Sequence, residues 1–360
     1  MSGYDYGNAR LRVMKSRLFA PPELASLAEA RTLQNLIAAL TRTPYRKAID
    51  SALARTAGGL ECIAEALHLD LVENLSQMRQ FYEGQARELV LIILRQYDVH
   101  NVKVILRAKS RFASPIDISR ALLPVGELSQ GVLDELIRAP DLRAAIDTLV
   151  TMRLSIAQPL LRVRAEHPGA DVPEMELALD RWHFHEARQS LKASRDGGAA
   201  ILSGALNLEA DIANLLIVLR FASDPAERQM LRLTLAGGSL ADLLVEPGTV
   251  PMETLVQAGE QSTLEAAVEI LASTPYQAPL NAGLLRYRRS ERLSEFERAL
   301  AAYKLRWMAV LIGRDPLGIG VPLGYLALKT NEVANLRWIA QGIDMGLTPD
   351  AIKADLELVQ

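Results

Sequence analysis

Asp98-Val99-His100-Asn101-Val102-Lys103-Val104-Ile105-Leu106-Arg107-Ala108-Lys109 can be taken two ways. Its centre, Val102 to Leu106, is rich in β-branched residues and alone would suit a strand. The apolar positions run on into Arg107-Ala108-Lys109 at three- and four-residue spacing, however, and that period is helical. The same period dominates elsewhere. Leu33, Leu36, Ile37 and Leu40 make one apolar face, stopped at Thr43-Pro44; Leu142, Ala145, Ile146 and Leu149 make another, and Leu264, Ala267, Val268 and Leu271 a third. Short breakers separate such segments: Pro21-Pro22, Ala57-Gly58-Gly59, Asp196-Gly197-Gly198, Gly237-Gly238 and Pro247-Gly248. Aromatic residues are only 5% of the chain, thin for a β-sandwich. The expected class is all-α.

The same stretch recurs. Asp98-x-x-Asn101 with Arg107 is echoed by Asp211-Ile212-Ala213-Asn214 with Arg220, and by Glu332-Val333-Ala334-Asn335 with Gln341 in the arginine's place. Independent landmarks keep the same order. Thr43-Pro44-Tyr45 returns as Thr274-Pro275-Tyr276, 231 residues on, against 234 between Asn101 and Asn335. Asp141-Leu142-Arg143-Ala144-Ala145-Ile146 resembles Thr263-Leu264-Glu265-Ala266-Ala267-Val268 at an interval of 122, which Gly126 and Gly248 share. Collinear agreement of several landmarks points to a degenerate threefold repeat, cut at the breakers into 1–116, 117–238 and 239–360. Units of this size are small helical domains rather than solenoid repeats, and three of them can stack in line or close around an axis. In each, the acid and the amide stand one turn apart. The acid can cap free N–H groups while the asparagine bonds a neighbouring segment, an internal clamp between helices. In the alternative, Arg107 and Arg220 point at a bound partner.

Composition excludes much. The net charge of −3 argues against a diffuse grip on nucleic acid. A single cysteine, Cys62, makes no internal disulfide or zinc cluster, and its apolar helical setting reads as a buried small hydrophobe. Of five histidines only His183 and His185 are close, and two apart on a helix they diverge, which suits no metal; a surface pair is the plain expectation. Gly318-Ile319-Gly320-Val321-Pro322-Leu323-Gly324 has its third glycine one place late for a dinucleotide loop, and no strand precedes it. Tyr4, Asp5, Tyr6, Asn8, Arg10 and Arg12 interrupt any apolar run at the start, so no secretory signal is expected there. The longest unbroken aliphatic run, Leu89 to Leu94, falls short of the ~20 residues of a spanning helix, so a soluble, cytoplasmic chain is expected. Arg286-Tyr287-Arg288-Arg289 with Arg292 is the densest basic stretch; it suits a solvated helix face, or an acidic partner or anionic lipid.

Three signatures carry a resemblance. Tyr6-Gly7-Asn8-Ala9-Arg10-Leu11-Arg12 is similar to the N-terminal motif of the C-type subunit of the archaeal and bacterial V-type (A-type) ATPases, the counterpart of the d-type subunit of the eukaryotic V-ATPase. Tyr97-Asp98-Val99-His100-Asn101-Val102-Lys103 resembles that family's most recognisable helix. Asp315-Pro316-Leu317-Gly318-Ile319-Gly320, followed by Tyr325 to Lys329 and Glu332 to Arg337, resembles a third signature. The resemblance implies three pseudo-symmetric helical domains in a closed funnel, a non-catalytic adaptor on the cytoplasmic face of the membrane. Its implied partners are the central shaft subunits (D and F type) and the proteolipid ring, and it implies no cofactor, metal or active site. The marked residues are Tyr6, Arg10, Arg12, Asp315, Pro316, Gly318 and Gly320. Pro316 is expected to start a helix, with the glycines permitting close backbone approach. The repeat alone supports equally a free-standing α-helical scaffold for other proteins. An all-α enzyme working through scattered carboxylates is a third class, without a nucleophile–base pair to favour it.

Overall fold

The computed structural model describes residues 3–224 and 239–359. Among them lie eighteen α-helices, two short 3-10 turns and no strand. Val102 to Leu106 falls inside the 27-residue helix Gly84–Ser110, so the helical period prevails over β-branched composition. Helix starts follow side-chain chemistry. Thr32, Asp141 and Thr263 each accept a hydrogen bond from the backbone N–H three residues on. Pro21-Pro22 opens the Pro21–Leu27 helix rather than breaking one, because a first-turn residue needs no N–H. Gly237-Gly238 lies outside the described residues.

Contacts divide the chain into two compact units, Met1–Ala157 with Met308–Gln360, and Gln158–Trp307. In the first, the helix Gly320–Asp344 packs on Gly59–Gln80 and on three N-terminal helices, Asp5–Lys15, Pro21–Leu27 and Leu33–Leu40. Leu11, Leu36, Leu40, Leu67, Leu75, Leu336 and Ile339 are fully buried there. Cys62 is buried as well.

In the second unit, Ala199–Ser223 packs against Val172–Ala193, Met252–Gly259 and Leu264–Ile270. Its core gathers Leu215, Val218, Leu255, Leu264, Leu271, Leu280 and Phe296. Ala199–Ser223 is 25 residues long with an 18-residue window of mean hydropathy 1.5, enough by length and composition alone to cross a membrane. Counting unbroken apolar runs overlooks it, because Asn207, Glu209, Asp211 and Asn214 interrupt the run without making the helix polar. Half of its most apolar window is buried, and Leu208, Leu215, Val218, Leu219 and Phe221 of this helix belong to the unit's core. His183 is buried and only His185 is exposed, which corrects the expected surface pair.

Candidate functional site

Asn101, Asn214 and Asn335 sit in the middle of long helices, where asparagine is a poor helix former, and all three are buried. Each uses its amide as a spare piece of backbone. Asn101 donates to the Leu123 carbonyl (2.8 Å) and accepts from the Leu123 N–H (2.7 Å). Asn214 does the same with Val245 (3.1 and 2.9 Å), and Asn335 with Glu357 (both 3.0 Å). A donor and an acceptor on one planar group are needed, so a carboxylate or an alkyl chain cannot substitute.

The acids one turn earlier collect donors from loops. Asp98 accepts from the N–H groups of Glu127 (2.8 Å) and Leu128 (3.0 Å). Asp211 accepts from Gly248 and Thr249 N–H (both 2.8 Å), Val250 N–H (3.3 Å), the Thr249 hydroxyl (2.7 Å) and the Tyr276 phenol (3.0 Å). These approaches explain two glycines: a Cβ on Gly126 would collide with the Asp98 carboxylate, and one on Gly248 with the Asn207 backbone. Burial pushes the Asp98 carboxyl up to about 6 against its two N–H donors, with the Glu127 charge adding to the rise and Arg95 opposing it.

Glu332 differs. Its donors are the Phe19 N–H (2.6 Å), the Tyr45 phenol (2.7 Å) and the Lys329 ammonium (2.9 Å). Lys329 is itself buried, 2.9 Å from the Tyr45 hydroxyl and 2.6 Å from Asp70, with its charge 4.5 Å above the Tyr45 ring. Burial first and the Glu332 charge second hold the Tyr45 phenol well above its usual range. Burial also raises Asp70, against the pull of Lys329. A small cavity of about 220 Å³ adjoins this group.

The marked residues near the two ends of the chain meet in the first unit. Asn8 donates to the Gly318 carbonyl (3.0 Å) and accepts from the Tyr82 phenol (2.8 Å), while Arg12 donates to the Pro316 carbonyl. Tyr6 is exposed with its ring edge-on to Phe81, and Arg10 lies 5.3 Å from the same ring. Pro316 starts no helix. The helix begins at Gly320, whose N–H is held by the Asp315 carboxylate (2.8 Å), so the aspartate works as a cap across a turn. Arg107, Arg220 and Gln341 are exposed and take no part in the clamps.

Residues 7–355 match the ATP synthase (C/AC39) subunit family. The chain belongs to that family. Curated relatives, each named as the C-type subunit of an A-type ATP synthase, include those of Pyrococcus abyssi, 27% identical over 97% of this chain and 89% of the relative, and Halobacterium salinarum, 27% identical over 99% and 98%. The protein of that name from Methanocaldococcus jannaschii is 25% identical over 98% and 86%.

In this C/AC39 member the clamp carboxylates and amides are engaged by the protein's own backbone, phenols and lysine, so they hold segments together instead of facing a substrate. Arginines that the sequence did not single out reinforce the same loops. Arg79 donates to the Gly126 carbonyl, and Arg188 to the Glu246 and Pro247 carbonyls (2.9 and 3.0 Å). Lys329, Asp70 and Tyr45 were also missed as a group. Tyr45 carried a signal, the repeated Thr-Pro-Tyr landmark, and Lys329 closes the Tyr325 to Lys329 stretch of the third signature; Asp70 carried none, since an isolated aspartate on a helix reads as surface. Beside the Asn101 and Asn335 helices lies an open cavity of about 630 Å³, lined by Leu60, Ile63, Leu67, His100, Val333 and Arg337.

Proposed function

We propose that this chain is a non-catalytic adaptor of a V/A-type rotary ATPase, coupling the central shaft (D and F type subunits) to the proteolipid ring. It works peripherally on the cytoplasmic face of the membrane and transmits torque for ion transport or ATP synthesis. In this reading the repeats 1–116, 117–238 and 239–360 are pseudo-symmetric modules closed into a funnel, present once per complex. Family membership supports the general role. The observation that carries the closed arrangement is the set of donors around Glu332. Asp211 takes its donors from residues 248–250 and Tyr276, which follow it; Glu332 takes the equivalent ones from Phe19 and Tyr45, which lie near the start of the chain. A carboxylate near the end of the chain that takes its donors from near the start supports this closed reading. A torque-bearing part needs segments joined by buried bonds that are costly to leave unmade, and the clamps are of that kind.

Purification of the host's membrane ATPase in mild detergent tests the role. The chain is expected at one copy in the intact complex and is expected to leave together with the shaft when the soluble and membrane sectors are separated from each other. An otherwise complete, coupled complex without it would refute the proposal.

A further inference from the structure

The helices Gly84–Ser110 and Gly320–Asp344 end alike. The Ala113 N–H returns to the Ala108 carbonyl and the Leu347 N–H to the Gly342 carbonyl, both at 2.9 Å, each closing around a left-handed residue. That residue is Gly346 (φ 72°) at the second end and Phe112 (φ 54°) at the first. The two are 234 residues apart, the interval that separates Asn101 from Asn335. Glycine is what the backbone favours there, since a Cβ is strained in this conformation. Phe112 is nonetheless present, and its side chain is 93% exposed, with Ile116 67% exposed on the next helix, Pro115–Ala121. A large aromatic that both its backbone and water disfavour marks a contact made outside the chain.

The flanking charge indicates which contact. Residues 103–120 contain Lys103, Arg107, Lys109, Arg111 and Arg120 against Asp117 alone, in a chain of net charge −3. Asp117 is occupied by Ser114, Lys109 by the carbonyls of Ile137 and Ala139, and Arg120 by Glu61 at 2.8 Å. Arg111, next to Phe112, is exposed and has no ion pair among the described residues. An apolar tip set in a basic surround suits an anionic bilayer surface, where the ring enters the headgroup boundary and the cations meet phosphates. We propose that the Phe112 tip, with Ile116 and Arg111, is a lipid anchor that inserts into the interfacial region of an anionic membrane.

The full chain, mixed with excess phosphatidylcholine vesicles with or without phosphatidylglycerol, tests this by sedimentation. Binding is expected only with phosphatidylglycerol and is expected to weaken with salt. Phe112→Gly, the choice made at the sister turn, should fold at least as stably as the parent yet bind about tenfold more weakly. Arg111→Ser should cost about fivefold. Phe112→Trp should show a blue-shifted emission on adding anionic vesicles. Equal binding by Phe112→Gly and the parent, no binding of the parent, or a tryptophan emission that vesicles leave unchanged would overturn the proposal. The vesicles hold no ATPase component, so this failure and that of the adaptor role are separable.

Discussion

Asp211 and Glu332 hold corresponding positions in two long helices and solve one problem with different materials. Asp211 is surrounded by three backbone N–H groups, a hydroxyl and a phenol, four of the five from three successive residues of one loop. Glu332 has one backbone N–H and one phenol, both some 300 residues distant in sequence, and a buried ammonium makes up the deficit. The residue corresponding to Lys329 in the Asp211 helix is Leu208, a member of the apolar core. A loop that follows its helix directly can bring many peptide dipoles to a carboxylate. A segment arriving from the other end of the chain brings few, and a full charge replaces them. That charge then requires Asp70, so the second solution carries a buried ion cluster that the first avoids.

The largest expected effect separates the two solutions. Lys329→Met leaves the buried Glu332 and the half-buried Asp70 without a counterion and should lower stability by about 3–5 kcal/mol, whereas Leu208→Met should cost less than about 1.5 kcal/mol. Urea unfolding of both variants checks this, and adding Glu332→Gln and Asp70→Asn to Lys329→Met should restore much of the loss. Next come the asparagines. Asn214→Ala strands a buried N–H and carbonyl of Val245 and should cost about 2–4 kcal/mol. Asn335→Ala should cost less, because its partner Glu357 is half-exposed and water can reach the freed groups. Hydrogen exchange at the Val245 and Glu357 amides reads out the two directly.

The phenols form a finer contrast. Tyr45→Phe removes one of three donors to Glu332 and should cost about 2 kcal/mol; Tyr276→Phe leaves Asp211 four donors and should cost about 1 kcal/mol. Thermal midpoints of the single variants would rank them. Smallest is a pH effect at Asp98, which has only two donors and where Leu154 stands in sequence at the place of the phenols. Its carboxyl binds a proton at about 6 in the folded chain against an ordinary 3.8, so its contribution to stability is present below about pH 4 and is lost as pH rises through 6. Asp98→Asn should remove that part of the fall in stability between pH 4 and 7, measured by urea midpoints across the range.

Much of the fold was legible because helix formation is local. Apolar spacing identified the helical class, and it did so even at Val102 to Leu106, where composition pointed elsewhere. Helix caps were legible for the same reason, since Thr32, Asp141 and Thr263 each bond a backbone N–H three residues on. The clamp residues could be marked by their pattern, but not what they bind. Leu123, Val245 and Glu357 carry no side-chain signal, because the bonded groups are backbone. Pro316 misled because a proline after an aspartate suits a turn as well as a helix start.

By itself, then, the amino-acid order determined the helices, their caps and the repeated acid-x-x-Asn spacing, all of which depend on residues within a turn or two of one another. Tertiary structure alone decided that Phe19 and Tyr45 reach Glu332, that Lys329 is buried against Asp70, and that Phe112 is left facing water. Those outcomes depend on which surfaces the packed helices remove from solvent. Burial is a property of the assembled chain, and the same lysine or phenylalanine is charged surface or apolar core according to what folds over it.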